Sequence, residues 1–164
     1  MIIVADAGPL LHLFWVNASS WALPPHSIDV VNEVWEEVES HAPAALQDTR
    51  LRRVVTSVQE PQDITRRNLD RGERVALSYA ISQRKAGQDV LVLCDERQAR
   101  LACSELSLPV VGSIGLIVEA FRAGRVSLEV ASVALRNLPG PGRLHIKLQL
   151  VESVLATLKE PRES

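Results

Sequence analysis

The chain has 164 residues, 46% of them hydrophobic and 23% charged, with a formal net charge of −2. That is one domain's length with room for a sizeable core, and the composition excludes a disordered chain. The near-neutral balance gives no global attraction to nucleic acid, although local basic patches are compatible with it. Neither Cys94 nor Cys103 has CxxC spacing, the histidines (His12, His26, His41, His145) are scattered, and no zinc pattern forms, so both thiols read as core residues. The N-terminus has no basic n-region and no apolar run reaches membrane-spanning length, so a reducing cytoplasm is the expected setting, with no membrane.

Ile2-Ile3-Val4-Ala5 is a short apolar run that predicts a buried strand ending at Asp6. Ala7-Gly8-Pro9 then leads into a helix over 10–16, with Pro9 suited to a first helical turn. A polar loop containing Pro24-Pro25 follows, then a short strand over 28–31. Asn32 is placed to cap a helix over 33–40. An edge strand is expected over 53–58, where polar and apolar residues alternate.

The clearest helix spans about 71–86 and precedes a second apolar strand, Val90-Leu91-Val92-Leu93-Cys94, which delivers Asp95. A helix over 96–106, a short strand at 109–111, a helix over 113–123 stopped by Gly124, and a helix over 128–138 complete the pattern. Pro139-Gly140-Pro141-Gly142 is the best break in the chain. Beyond it, Leu150, Val151, Val154, Leu155 and Leu158 share one face of a terminal amphipathic helix. Strands alternating with helices indicate an α/β fold with a parallel sheet, in which ligands bind beyond the carboxyl ends of the strands.

Four carboxylates are then candidates for one cleft: Asp6, Glu37, Glu73 and Asp95. Carboxylates forced together raise one another's pKa or share a cation, and a hard divalent ion held this way suits phosphodiester hydrolysis. Each has a plainer reading. Asp6 and Asp95 both precede helices and could cap them, Asp95 with Gln98 at capping-box spacing. Asp70-Arg71-Gly72-Glu73 has the same spacing, which would make Glu73 a return partner. Helical geometry turns Glu73 to the side of Leu77 and Ala80, and sets Glu37 beside the buried Val34 and Val38. Glu33 is the reserve for Glu37, and Glu36 reads as solvated. Arg66, Arg67, Arg71 and Arg74 cluster before and on the Glu73 helix. They read equally as guides for a phosphate backbone and as a solvated face. Ser113 stands at a helix N-terminus, where it could donate to a phosphate oxygen or serve as an N-cap.

These residues resemble the PIN-domain family, in the compact prokaryotic branch that includes VapC-like toxins. Ile3-Val4-Ala5-Asp6-Ala7-Gly8-Pro9 is similar to the family's first-strand aspartate and turn, and Val34-Trp35-Glu36-Glu37-Val38 to its second acidic position. Arg71-Gly72-Glu73-Arg74-Val75-Ala76-Leu77 resembles the third, and Leu91-Val92-Leu93-Cys94-Asp95-Glu96-Arg97 the fourth, leading into Val110-Val111-Gly112-Ser113. The likeness covers about residues 2–124. It departs from the better-characterised toxins in having Glu73 where they carry Asp, in the pair Asp95-Glu96, and in the tail after Pro139.

The resemblance implies a three-layer α/β/α sandwich with a short parallel sheet, a nuclease domain over 1–138, and a hinge and amphipathic helix over 139–164 packed on the domain or on a partner. It implies Mg²⁺- or Mn²⁺-dependent cleavage of RNA, with Asp6, Glu73 and Asp95 as metal ligands and Glu37 orienting water. Ser113, Arg71 and Arg74 would contact substrate, an antitoxin protein would be a partner, and the chain would form a homodimer. The alternative is a catalytically inactive module of the same fold, acting by RNA or protein binding. A receiver domain is disfavoured because Ala7 follows Asp6 and no lysine lies between Lys85 and Lys147. A dinucleotide-binding domain is disfavoured by the absence of GxGxxG after the first strand.

Overall fold

The two most apolar runs of the chain meet at the centre of the fold. In a computed structural model describing residues 1–140 and 144–161, β1 (Ile2–Ala5) is followed by α1 (Ala7–Trp15), α2 (Ser19–Ala22), β2 (Ile28–Val31) and α3 (Asn32–His41). After a 3₁₀ turn at Pro43–Gln47 come β3 (Leu51–Val54), α4 (Gln62–Thr65) and α5 (Arg71–Lys85). Then follow β4 (Val90–Leu93), α6 (Arg97–Glu105), β5 (Val110–Val111), α7 (Ser113–Arg122), α8 (Leu128–Asn137) and α9 (Leu148–Lys159). All the strands are parallel, in the order β3-β2-β1-β4-β5.

That order decides where a ligand can bind. From β1 the chain steps outward through β2 to β3, then returns to the other side of β1 for β4 and β5. The direction reverses between β1 and β4, which is the switch point of the sheet. Right-handed crossovers on the two sides set helices on opposite faces. α5 lies across β2, β1 and β4 on one, while α1 packs against α3 and α7. The result is the expected three-layer α/β/α sandwich. β1 and β4 run in register, Ile2 opposite Val90 through Ala5 opposite Leu93, and Asp6 N–H donates to the Leu93 carbonyl at 2.9 Å. The residues just beyond the two strands are therefore held level.

Several element boundaries depart from expectation. α1 starts at Ala7, which puts Pro9 in the first turn, where backbone N–H groups have no partner inside the helix. Asn32 opens α3 and does not cap it, because its side chain is drawn to Arg53 Nε and to Glu36. β3 lies at 51–54 and not 53–58, since pairing with β2 ends where Val54 meets Val31 and the chain then leaves the sheet with Val55 exposed. Short helices at 19–22 and 62–65 lie where no helix was expected. No described helix is long and apolar enough to cross a membrane.

At the end of the described chain, α9 packs on α8 and buries Val151, Leu155 and Leu158, while Leu150 stays exposed. Pro141 and Gly142 of the expected break lie outside the described residues.

One buried charge is wholly structural. Asp29, in β2, is 2% exposed. It accepts two bonds from Arg52 at 2.8 and 2.9 Å and one from the Tyr79 hydroxyl at 2.8 Å, tying β2 to β3 and α5. Desolvation and the neighbouring carboxylate push the Tyr79 phenol up to about 12. Replacing Tyr79 with Phe takes one donor from a buried carboxylate, at an expected cost of about 1–2 kcal/mol. A urea midpoint lowered at unchanged slope would show this. An unchanged midpoint would mean that the hydroxyl contributes nothing net.

Candidate functional site

At the switch point, Asp6 follows β1 and Cys94-Asp95 follow β4, and they open into a cavity of about 470 Å³. Asp6, Glu37, Glu73, Asp95 and Glu96 all line it, with Asp70, His12 and His145. The strands bring Asp6 and Asp95, α3 brings Glu37, and the first turn of α5 brings Glu73. Glu37 and Asp70 also line a neighbouring groove that holds Glu33, Glu36 and Arg71.

Asp6 is 7% exposed and heads α1, but its side chain makes no capping bond there. Its carboxyl receives the Cys94 thiol at 3.6 Å. Burial first, then the charge of Glu73, push it up to about 8. Glu73, also 7% exposed, does complete a capping box: Asp70 N–H donates to its Oε2 at 2.9 Å and Glu73 N–H donates to Asp70 Oδ1 at 2.8 Å. This fastens Glu73 but does not neutralise it, and desolvation raises it to about 7 against the Asp70 backbone bond. Burial, then Asp70, also raise Glu37.

Asp95 does not cap α6, which begins after Glu96. Its oxygens are used elsewhere. Ser113 N–H donates to Oδ1 and Ser113 Oγ–H to Oδ2, each at 2.6 Å, and His12 Nδ1 donates to Oδ2 at 2.7 Å. α7 and α1 thus both clamp this carboxylate.

Glycines let the backbone come close to it. A Cβ on Gly112 would stand 2.7 Å from Asp95 Oδ1, and one on Gly8 would stand 3.3 Å from Asp95 Cβ. A Cβ on Gly72 would meet Glu37 Oε2 at 3.3 Å.

Of the substrate candidates, Ser113 is fully buried with its hydroxyl on Asp95. Arg74 is committed to Glu60 at 3.2 Å and to the Leu69 carbonyl at 2.8 Å. Arg71 is 78% exposed along its side chain, with Glu33 at 3.7 Å. Arg67 pairs with Glu105 and its Nε donates to the Asp63 carbonyl, while Arg66 reaches Gln62. Sequence reasoning missed His12, Asp70, Cys94 and His145. His12 lies one turn beyond Gly8 on α1, but nothing in its spacing points to an aspartate 83 positions later. His145 follows the Pro-Gly break, where no periodicity indicates a return to the cavity.

Among the described residues, no group of three or more His, Cys, Asp or Glu stands close enough to hold a metal ion as it is. The donor chemistry nevertheless fits a hard cation, since the acids offer only oxygen. Asp6 and Glu73, with their raised proton affinity, mark where positive charge is wanting. An ion that keeps several waters and takes one or two carboxylates needs no closed cage.

The fold and site define a parallel α/β/α sandwich with carboxylates converging at its switch point. A family model described as a PIN domain matches residues 2–160, nearly the whole chain and well past the 2–124 covered by the sequence likeness. The chain belongs to the PIN-domain family, a nuclease-type family whose members typically use divalent metal ions. No curated protein matches it.

The raised carboxyls have a measurable consequence for stability. From an unfolded value near 3.8 to a folded value of about 8, the folded chain holds the Asp6 proton more tightly than the unfolded chain does. The stabilisation is complete below the lower value and is lost as pH rises through the upper one. In EDTA, the melting temperature should therefore fall between pH 5 and pH 8, and Asp6→Asn should flatten that fall. Equal falls in both proteins would place the source elsewhere. Added Mn²⁺ should restore the wild type at pH 8 and do little for the variant.

Proposed function

We propose that this protein is a Mg²⁺- or Mn²⁺-dependent endoribonuclease acting at the carboxylate cavity. The observation that carries the reading is the pair Asp6 and Glu73, with carboxyls raised to about 8 and about 7 inside one cavity shared with Glu37 and Asp95. Bound there, a hard divalent cation would offset the charge of the scissile phosphate and make water a better nucleophile at neutral pH.

Asp6 and Glu73 would hold the ion, with Asp95 engaging it directly or through water. The chain's own part is to fix these groups. Ser113 and His12 hold Asp95, and the Asp70 turn holds Glu73. Glu37, with its proton affinity raised by burial, is suited to accept a proton from attacking water. Arg71, exposed beside the groove, is suited to an RNA phosphate. Arg74 supports α5 through its bonds to Glu60 and the Leu69 carbonyl. The cellular setting we propose is that of a toxin held by an antitoxin protein, with the chain as a homodimer.

A second reading, an inactive module that binds RNA or protein, draws on the absence of a ready three-acid group among the described residues and on the three donors already on Asp95. One experiment separates the two. Purified protein is mixed with a fluorogenic RNA in Mn²⁺, with Mn²⁺ binding followed by calorimetry. Wild-type cleavage that falls about 100-fold or more in Asp6→Asn, with weakened Mn²⁺ binding, supports the nuclease. Wild-type RNA binding without Mn²⁺ binding or cleavage supports the module.

A further inference from the structure

Beside the carboxylate cavity lies a second one, of about 370 Å³, lined from α6, β5, α7 and the start of α9. Asp95 and Leu144 line both it and the carboxylate cavity, so the two adjoin. Its walls differ from those of the acid site. Val110, Ile114, Ile146 and Leu150 make it largely aliphatic, and its cation is Arg100, on α6.

Arg100 is placed unlike the arginines that brace the fold. Arg50, Arg52, Arg67 and Arg74 each have a carboxylate partner at 3.2 Å or less. The Arg100 side chain is exposed and has no hydrogen-bond or ion-pair partner among the described residues. It also reaches toward the acid site. The position a Cβ would take on Gly112 is 2.5 Å from Arg100 Nη1 and 2.7 Å from Asp95 Oδ1. The missing side chain at 112 is what lets the guanidinium pass beside Asp95. A guanidinium that forms no ion pair among the described residues, next to an aliphatic wall and beside Asp95 of the carboxylate cavity, has the parts that recognise a nucleotide. Arg100 would take the phosphate through a planar donor fork, and the wall would take the sugar and base. None of its described lining residues is aromatic, so recognition there would be by apolar contact, without ring stacking.

The geometry points to a nucleotide subsite in this cavity, with Arg100 binding the phosphate next to the one that is cleaved. It rests on the nuclease reading for the identity of the polymer, but not for the binding of a nucleotide.

The test uses the full chain in two arms. In EDTA, adenosine 5′-monophosphate is titrated and followed by amide NMR. The expected result is saturable shifts at Gly112, Ile114 and Gly115. They should disappear in Arg100→Gln, survive with weaker affinity in Arg100→Lys, and be unchanged in Lys85→Gln, at the far end of α5. In Mn²⁺, Arg100→Gln should raise KM for RNA about 10-fold with kcat little changed, and lower the salt dependence of binding. Shifts elsewhere on the surface, or shifts that persist in Arg100→Gln, overturn the subsite even if the enzyme cleaves RNA. Nucleotide binding that depends on Arg100, in a chain that cleaves no RNA, sustains the subsite and removes the nuclease reading.

Discussion

The structure depends on how negative charge is carried at the switch point of the sheet, and two aspartates show the choice. Asp29 and Asp6 are both buried, each in or beside a central strand. Asp29 receives a guanidinium and a phenol, and it fastens three elements together. Asp6 receives a weak thiol donor at 3.6 Å, with Glu73 close enough to repel it. A buried carboxylate without a cation is costly. At the edge where the strand order reverses and ligands have access, that cost shows as the raised proton affinity of Asp6 and Glu73. The groups around it stiffen the cluster without neutralising it. Asp95 is clamped by two helices and Glu73 by a turn, and glycines at 8, 72 and 112 let the backbones close in.

The fold was legible in the sequence because its central signals are local. Ile2–Ala5 and Val90–Leu93 are short apolar runs that read as buried strands, and helices of regular period separate them. The boundaries that moved did so for tertiary reasons. Asn32 was taken up by Arg53, and β3 shifted to match the end of β2. The acids were legible as positions after strands and on inward helix faces. Their partners were not. Ser113 and His12 meet Asp95 across long stretches of chain, and no spacing announces such contacts. For Glu73 the plain and functional readings hold together: its side chain closes a capping box and lines the cavity.

The last part of the chain belongs to this site more closely than its Pro-Gly boundary suggests. Leu144 and His145 reach the carboxylate cavity, and Ile146 and Leu150 form a wall of the adjoining one. Anchored by Val151, Leu155 and Leu158, α9 therefore serves the cavities as well as α8. The family match through residue 160 is in keeping with that placement.

The two outer strands bear on association. β5 has two residues, and β3 carries Arg52 and Arg53 on a four-residue strand. A short edge and a cationic edge are poor templates for adding a strand from another molecule. The sheet is in effect closed to growth at both ends. Concentrated protein should accordingly resist fibrous, strand-to-strand aggregation.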